Sequence, residues 1–242
     1  MTFLPIIEVF RQPFCVNKFS YNDWQELLEQ SYANKMTARV KNWLKINGLS
    51  NAVPEKIQWH FDAAWNYYLA HKSDVIKECE LIHSSLGLNP NPVVFLKGAA
   101  YMLSQSLVSE GRLFGDIDIL TAKSTLHQTE KFLLWSGWRH SEKSDYDQSY
   151  YREWMHELPP LVHGVRGTTL DVHHNILPPI SGRSPEISEF PIKVHKLKEK
   201  EFVTFSAPAM TLHSIVHLFF EEDFSKVTSK SQFTFEVMLI SK

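Results

Sequence analysis

Cysteine is scarce in this chain: Cys15 and Cys79 are the only two among 242 residues. They stand far apart and no CxxC spacing occurs, which excludes a disulfide framework or a zinc knuckle and fits a reducing cytoplasm. Long apolar runs are missing as well, and no stretch approaches the roughly 20 residues of a membrane-spanning helix. The opening MTFLPIIEVFRQPF has neither a basic segment before its short apolar run nor a small-residue cleavage site after it, so no signal peptide is expected. Charge of one sign is also lacking. Lys plus Arg number 25 against 27 Asp plus Glu, a net charge of -2, and such a surface has no overall field to gather long nucleic acid or anionic lipid. There is no internal repeat or low-complexity segment. Without a G-x-S-x-G, Ser104, Ser106 and Ser109 form no nucleophile elbow. His213 and His217 have the i, i+4 spacing of a zinc pair, but Ser214 stands where an HExxH would carry Glu, so a core or hydrogen-bonding role is expected of them.

What the chain does contain is enough apolar material, 43% of residues, for a sizeable core in one large domain or two small ones. Residues 21–86 are rich in helix formers with apolar side chains at helical spacing, such as Trp24, Leu27 and Leu28, then Phe61, Ala64, Trp65 and Tyr68. Gly48 and the run from Ser50 to Pro54 interrupt that pattern, so two helical stretches are expected to meet there. Pro90 and Pro92 then mark a connector. The short apolar run Val93-Val94-Phe95-Leu96 reads as a buried strand, and residues 98–110 read as a helix capped by Gly111.

Asp116-Ile117-Asp118-Ile119-Leu120 alternates with a period of two, which places both aspartates on one face of a strand. A helix over residues 124–135 should follow, ended by Gly137. Residues 150–163 and 168–176 read as two strands joined by the tight turn Gly164-Val165-Arg166-Gly167, which would bring Asp171 into the same sheet. Residues 177–201 read as loop, 202–205 as a short strand, and the run from Ala209 as a helix with Pro208 in its first turn. The last residues, TSKSQFTFEVMLISK, offer no convincing closing element, which suggests a truncated or altered C-terminus. The expected division is a helical region over 1–90, an α/β core over 91–206 and a C-terminal helical segment over 207–242.

The chemistry concentrates on the acids. Two aspartates side by side on a strand repel one another unless a cation neutralises them. Oxygen ligands of this kind suit Mg²⁺, which binds through one or two carboxylates plus substrate phosphates. A third acid on a neighbouring strand, Asp171, would allow two metals ~4 Å apart, the arrangement used in phosphoryl transfer. A helix opening at Gly98 beside that strand would offer N–H groups to a triphosphate. Lys97 and Arg112 are the nearest cations in the sequence and could offset phosphate charge, or serve as a solvated lysine and a partner for one of the acids. His173 shares a strand face with Asp171 and could support a carboxylate or bind metal, but a polar residue at the cleft edge is the expected role; His174 follows it. The aromatics Tyr146, Tyr150, Tyr151 and Trp154, with Trp135 and Trp138, are expected to pack in a strand core rather than stack on a base.

Leu96-Lys97-Gly98-Ala99-Ala100, Gly111-Arg112, Asp116-Ile117-Asp118-Ile119-Leu120 and Leu170-Asp171-Val172-His173-His174 together resemble the uncharacterised nucleotidyltransferase family of the DNA polymerase beta-like superfamily. The resemblance implies an α+β fold, with a small mixed sheet backed by helices. It also implies metal ligation by Asp116, Asp118 and Asp171, with Asp171 activating an acceptor hydroxyl. Gly98 would be the phosphate-loop glycine, with Ala99 where the superfamily usually has Ser or Gly and a longer gap before the acids. The implied activity is Mg²⁺-dependent transfer of an NMP group from an NTP to a small molecule, protein side chain, RNA end or sugar phosphate. A catalytically silent binding module, for which Ala99 speaks, and a metal-dependent phosphohydrolase are the alternatives.

Overall fold

The computed structural model describes residues 4–141, 144–178, 182 and 184–220. The expected C-terminal irregularity, and any continuation of the last helix beyond Phe220, lie outside them. The chain divides into two compact units. Among the described residues, one holds those up to Ser73 with Ser106–Leu113, and the other holds Asp74–Gln105 and those from Phe114 to Phe220.

The first unit is helical: α1 (Pro5–Arg11), α2 (Tyr21–Ala33), α3 (Thr37–Ile46) and the first part of α4 (Glu55–Ser85). Ser20 opens α2 with a reciprocal cap. Its backbone N–H donates to Asp23 Oδ2 at 2.7 Å and its Oγ accepts from Asp23 N–H at 3.3 Å. Sequence periodicity ran α2 and α3 together. They are separated because Asn34 bonds back to the Gln30 carbonyl at 2.6 Å and Lys35 turns left-handed at φ 54°. The core joins Val9, Phe10, Leu27, Val40, Trp43 and Phe61 from all four helices.

Residues 98–110 do not form one helix. The helix α5 (Lys97–Leu103) stops early, Gln105 turns left-handed at φ 52°, and Ser106 then caps a short 3-10 turn (Leu107–Ser109). Gly111 is therefore no helix cap. With φ +77°, it lies where an added Cβ would come within 2.5 Å of the Arg39 backbone nitrogen, so the 106–113 segment needs glycine to lie against α3.

The second unit is a seven-stranded mixed sheet with helices, the expected α+β class. Its strands are β1 (Val94–Phe95), β2 (Asp116–Leu120), β3 (Trp138–His140), β4 (Leu161–His163), β5 (Thr169–His173), β6 (Ile192–Leu197) and β7 (Lys200–Phe205), in the order β3-β4-β5-β2-β1-β7-β6. The β4–β5 hairpin forms as expected. The central pair β2 and β5 is parallel, as is β1 with β7, and every other neighbour is antiparallel. Ile117, Ile119, Leu170 and Val172 bury the opposite face of the central strands from the aspartates.

Three readings change. Residues 150–160 do not form the expected strand: α7 (Asp145–Trp154) takes in 150–154, and Tyr146, Tyr150 and Trp154 are spaced i, i+4 on an exposed helical face. The β propensity of these aromatics is overridden as Arg152 on α7 forks onto Glu130 of α6 (Leu126–Trp135), with contacts of 3.1 and 2.5 Å. Trp135 is likewise exposed, and only Trp138 of that group lies in the core. The short strand β3 follows Gly137 where no element was expected. Within 177–201, β6 emerges as an edge strand whose lysines, Lys193 and Lys196, are of the kind that discourages edge-to-edge pairing. The helix α8 (Ala207–Phe220) forms as expected.

Candidate functional site

Strand register builds the site. β2 and β5 run in parallel with Asp118 opposite Asp171 and Asp116 opposite Thr169, so the three carboxylates project from one face. One oxygen from each of Asp116, Asp118 and Asp171 lies within 4.8 Å of the other two. Asp116 is the most open and Asp118 is buried.

Lys97 reaches the same place by backbone geometry. β1 pairs antiparallel with β2, and the Leu96 N–H donates to the Asp118 carbonyl at 2.9 Å, so the next residue stands over Asp118. Its ammonium donates to Asp118 Oδ1 at 2.7 Å, and its side chain is 17% exposed. This is not the solvated strand-end lysine that the sequence left open. Lys97 also has φ +44°, unusual for a residue with a side chain. Backbone held this way costs on the order of 1–3 kcal/mol and persists where surrounding structure enforces it.

His173 completes the cage around Asp118. Its Nε2 lies 3.0 Å from Asp118 Oδ1, and its Nδ1 lies 3.2 Å from Glu157 Oε2. Burial would push the Asp118 carboxyl up, but the Lys97 charge and the His173 bond outweigh it and hold it well below the usual carboxylate range. Asp171 goes the other way. Burial, then the charges of Asp118, Glu157 and Asp116, push it up to about 7. Asp171 Oδ1 is buried with no hydrogen-bond partner among the described residues.

A hard divalent cation fits this donor set. Three carboxylates of one sign converge, one buried oxygen lacks a partner, and the repulsion expressed at Asp171 is what a cation removes.

Gly98 and Ala99 sit in the first turn of α5, ahead of its first intrahelical bond, Ala100 N–H to Leu96 O at 3.1 Å. Both are buried, and an added Cβ on Gly98 would come within 2.6 Å of the Phe114 ring. Arg112 belongs to the 106–113 segment of the helical unit. His174 is buried and pushed down to about 4, by burial first and then by the Lys123 charge. His213 on α8 packs edge-on to Phe205 at 5.9 Å, and burial pushes it down to about 3. Among the described residues, neither His174, His213 nor His217 joins a group spaced to share a metal ion.

A second such group went unread in the sequence: His156, Glu157 and His173. Glu157 forms an isolated antiparallel bridge with His173, and His174 N–H donates to the His156 carbonyl at 2.8 Å. No spacing rule joins residues 156–157 to 173. The adjacent His156-Glu157 pair was the only available signal, and it fell inside a stretch read as strand.

No described helix is long and apolar enough to cross a membrane. Comparison with curated proteins gave no match, and neither did comparison with solved structures. The sequence model of one family, described as "Uncharacterised nucleotidyltransferase", matches residues 20–232 and so takes in both units, all three aspartates and the Lys97-Gly98 turn. The chain belongs to the uncharacterised nucleotidyltransferase family.

Proposed function

We propose that this protein transfers an NMP group from a nucleoside triphosphate to an acceptor hydroxyl with Mg²⁺ as cofactor, and that Asp116, Asp118 and Asp171 hold the metal. The observation that carries the reading is the convergence of the three carboxylates from two paired parallel strands, one of them driven up to about 7. Bound there, one or two Mg²⁺ ions would neutralise phosphate charge and orient the triphosphate.

The chain's own groups account for the remainder. Lys97 and His173 fix the Asp118 carboxylate from two sides. Asp171 accepts the proton of the acceptor hydroxyl, whose oxygen bonds to the α-phosphorus as the bond from that phosphorus to the bridging oxygen breaks and pyrophosphate leaves. The first turn of α5, with Gly98 and Ala99, receives phosphate oxygens through the backbone N–H groups that precede its first intrahelical bond.

One observation favours a silent binding module instead. Asp118 Oδ1 already has Lys97 and His173 against it, so part of the negative charge is compensated without a metal. Incubation with each NTP labelled at the α-phosphate, with Mg²⁺ and a panel of acceptors, separates the readings. Transfer of label with release of pyrophosphate, abolished by Asp118→Asn, is the expected result. Binding without turnover would leave the silent module, and consumption of nucleotide with no labelled acceptor would identify a phosphohydrolase.

A further inference from the structure

The geometry points to a transition-metal site formed by His156, Glu157 and His173, separate from the three aspartates and coupled to them through the His173 ring. The argument begins with the two nitrogens of that ring. Nε2 lies 3.0 Å from Asp118 Oδ1 and Nδ1 lies 3.2 Å from Glu157 Oε2. Nε2 is thus turned toward the three aspartates, while Nδ1 and a Glu157 oxygen face one another, placed to share a cation.

A divalent transition ion fits that spacing. Imidazole nitrogen and carboxylate oxygen bind Zn²⁺ at about 2.0–2.2 Å, so two ligands at the corners of a tetrahedron stand about 3.3 Å apart. The observed 3.2 Å between Nδ1 and Oε2 matches that edge. The third donor is in place: ligand atoms of His156, Glu157 and His173 all lie within 4.8 Å of one another, and the His156 and His173 rings are 5.3 Å apart at 31°.

Two further features fit a metal site. A metal-bound histidine almost always donates its other ring N–H to a carboxylate, which fixes ring orientation and raises ligand basicity. Asp118 stands in that relation to His173. The donors also sit on rigid backbone: the Glu157–His173 bridge, Leu158 N–H to Val172 O at 2.9 Å and His174 N–H to His156 O at 2.8 Å lock the segment against β5. Both histidines are 2% exposed, and Glu157 is the open side. Two imidazoles and one carboxylate select a borderline ion such as Zn²⁺, whereas the all-oxygen trio suits Mg²⁺.

The test needs no nucleotide, so it is independent of the proposed transfer reaction. Full-length protein stripped with chelator is titrated with Zn²⁺ by calorimetry, and with Co²⁺ by visible absorption, which reports nitrogen ligation and coordination geometry. Circular dichroism verifies the fold of each variant. One equivalent of Zn²⁺ and a Co²⁺ spectrum of tetrahedral or five-coordinate type are expected. Glu157→Gln, nearly isosteric, should weaken binding at least ~100-fold, and Asp118→Asn, acting through His173, about 10–100-fold. Asp116→Asn should leave Zn²⁺ binding in place. No uptake of either ion by the wild type would overturn the site. Unchanged uptake in Glu157→Gln would overturn it equally, by placing the ion elsewhere.

Discussion

Asp118 and Asp171 are register partners on adjacent parallel strands, yet their ionisation is driven in opposite directions. Lys97 and His173 hold Asp118 charged, while burial and the surrounding acids raise the proton affinity of Asp171. Two carboxylates with separated proton affinities are what acid–base chemistry near neutral pH requires.

A pH dependence of stability follows. The folded-state value of Asp171, about 7, exceeds its ordinary 3.8. Between pH 4 and pH 7 the native state therefore keeps a proton that the unfolded chain has lost, and stability falls as pH rises through that window. In chelator, the unfolding free energy from urea denaturation should drop between pH 5 and pH 7.5 by on the order of 2 kcal/mol. Mg²⁺ should flatten the slope, and Asp171→Asn should remove it. A slope of the same size in Asp171→Asn would assign it to another group.

Removing Lys97 uncovers a buried charge. Lys97→Met leaves the Asp118 carboxylate, itself 4% exposed, with His173 as its remaining partner, and the expected cost is about 3 kcal/mol. Adding Asp118→Asn to the same chain should recover much of the loss, because the stranded charge is gone. A double-mutant cycle by chemical denaturation measures the coupling; additive losses would show that the pair does not act as one unit.

Gly98 is constrained by packing whatever its role with phosphate. Gly98→Ala drives a methyl against Phe114 and should cost about 1–3 kcal/mol. Phe114→Ala in that background should relieve the clash, so less of the second loss appears than in the wild type. If thermal melts show the two losses simply adding, the overlap is being relieved elsewhere.

The β4–β5 turn carries its own test. Arg166 there donates from Nε to both Glu78 oxygens at 2.9 and 2.8 Å and from Nη2 at 2.6 Å, and Glu78 is buried. Arg166→Met should lower stability by about 3–4 kcal/mol. Arg166→Lys should recover less than half of that, since an ammonium cannot reproduce the planar fork. Full recovery by lysine would reduce the interaction to charge alone.

The sequence by itself determined those parts of this protein whose cause is local. Alternation in Asp116-Ile117-Asp118-Ile119-Leu120 dictates a strand with both aspartates on one face, because side chains on a strand alternate. The Gly164 to Gly167 turn dictates the hairpin that carries Asp171. Helical spacing marks α2, α4 and α8, and the motifs that resemble the family were legible as text.

Tertiary structure alone decided what depends on pairing across distance. Tyr150 and Trp154 have the composition of a strand, but an ion pair between Arg152 and Glu130 and open solvent on the other face make their segment a helix. Nothing in the order of residues places Lys97 on Asp118, since that contact follows from the antiparallel register of β1 with β2. The group of His156, Glu157 and His173 was hidden for the same reason: its members come from two separate segments, and backbone pairing of residues 156–158 with β5 and His174 brings their donor atoms together. Local periodicity dictates which face a side chain takes, and the hydrogen-bond register of the sheet decides what it meets there.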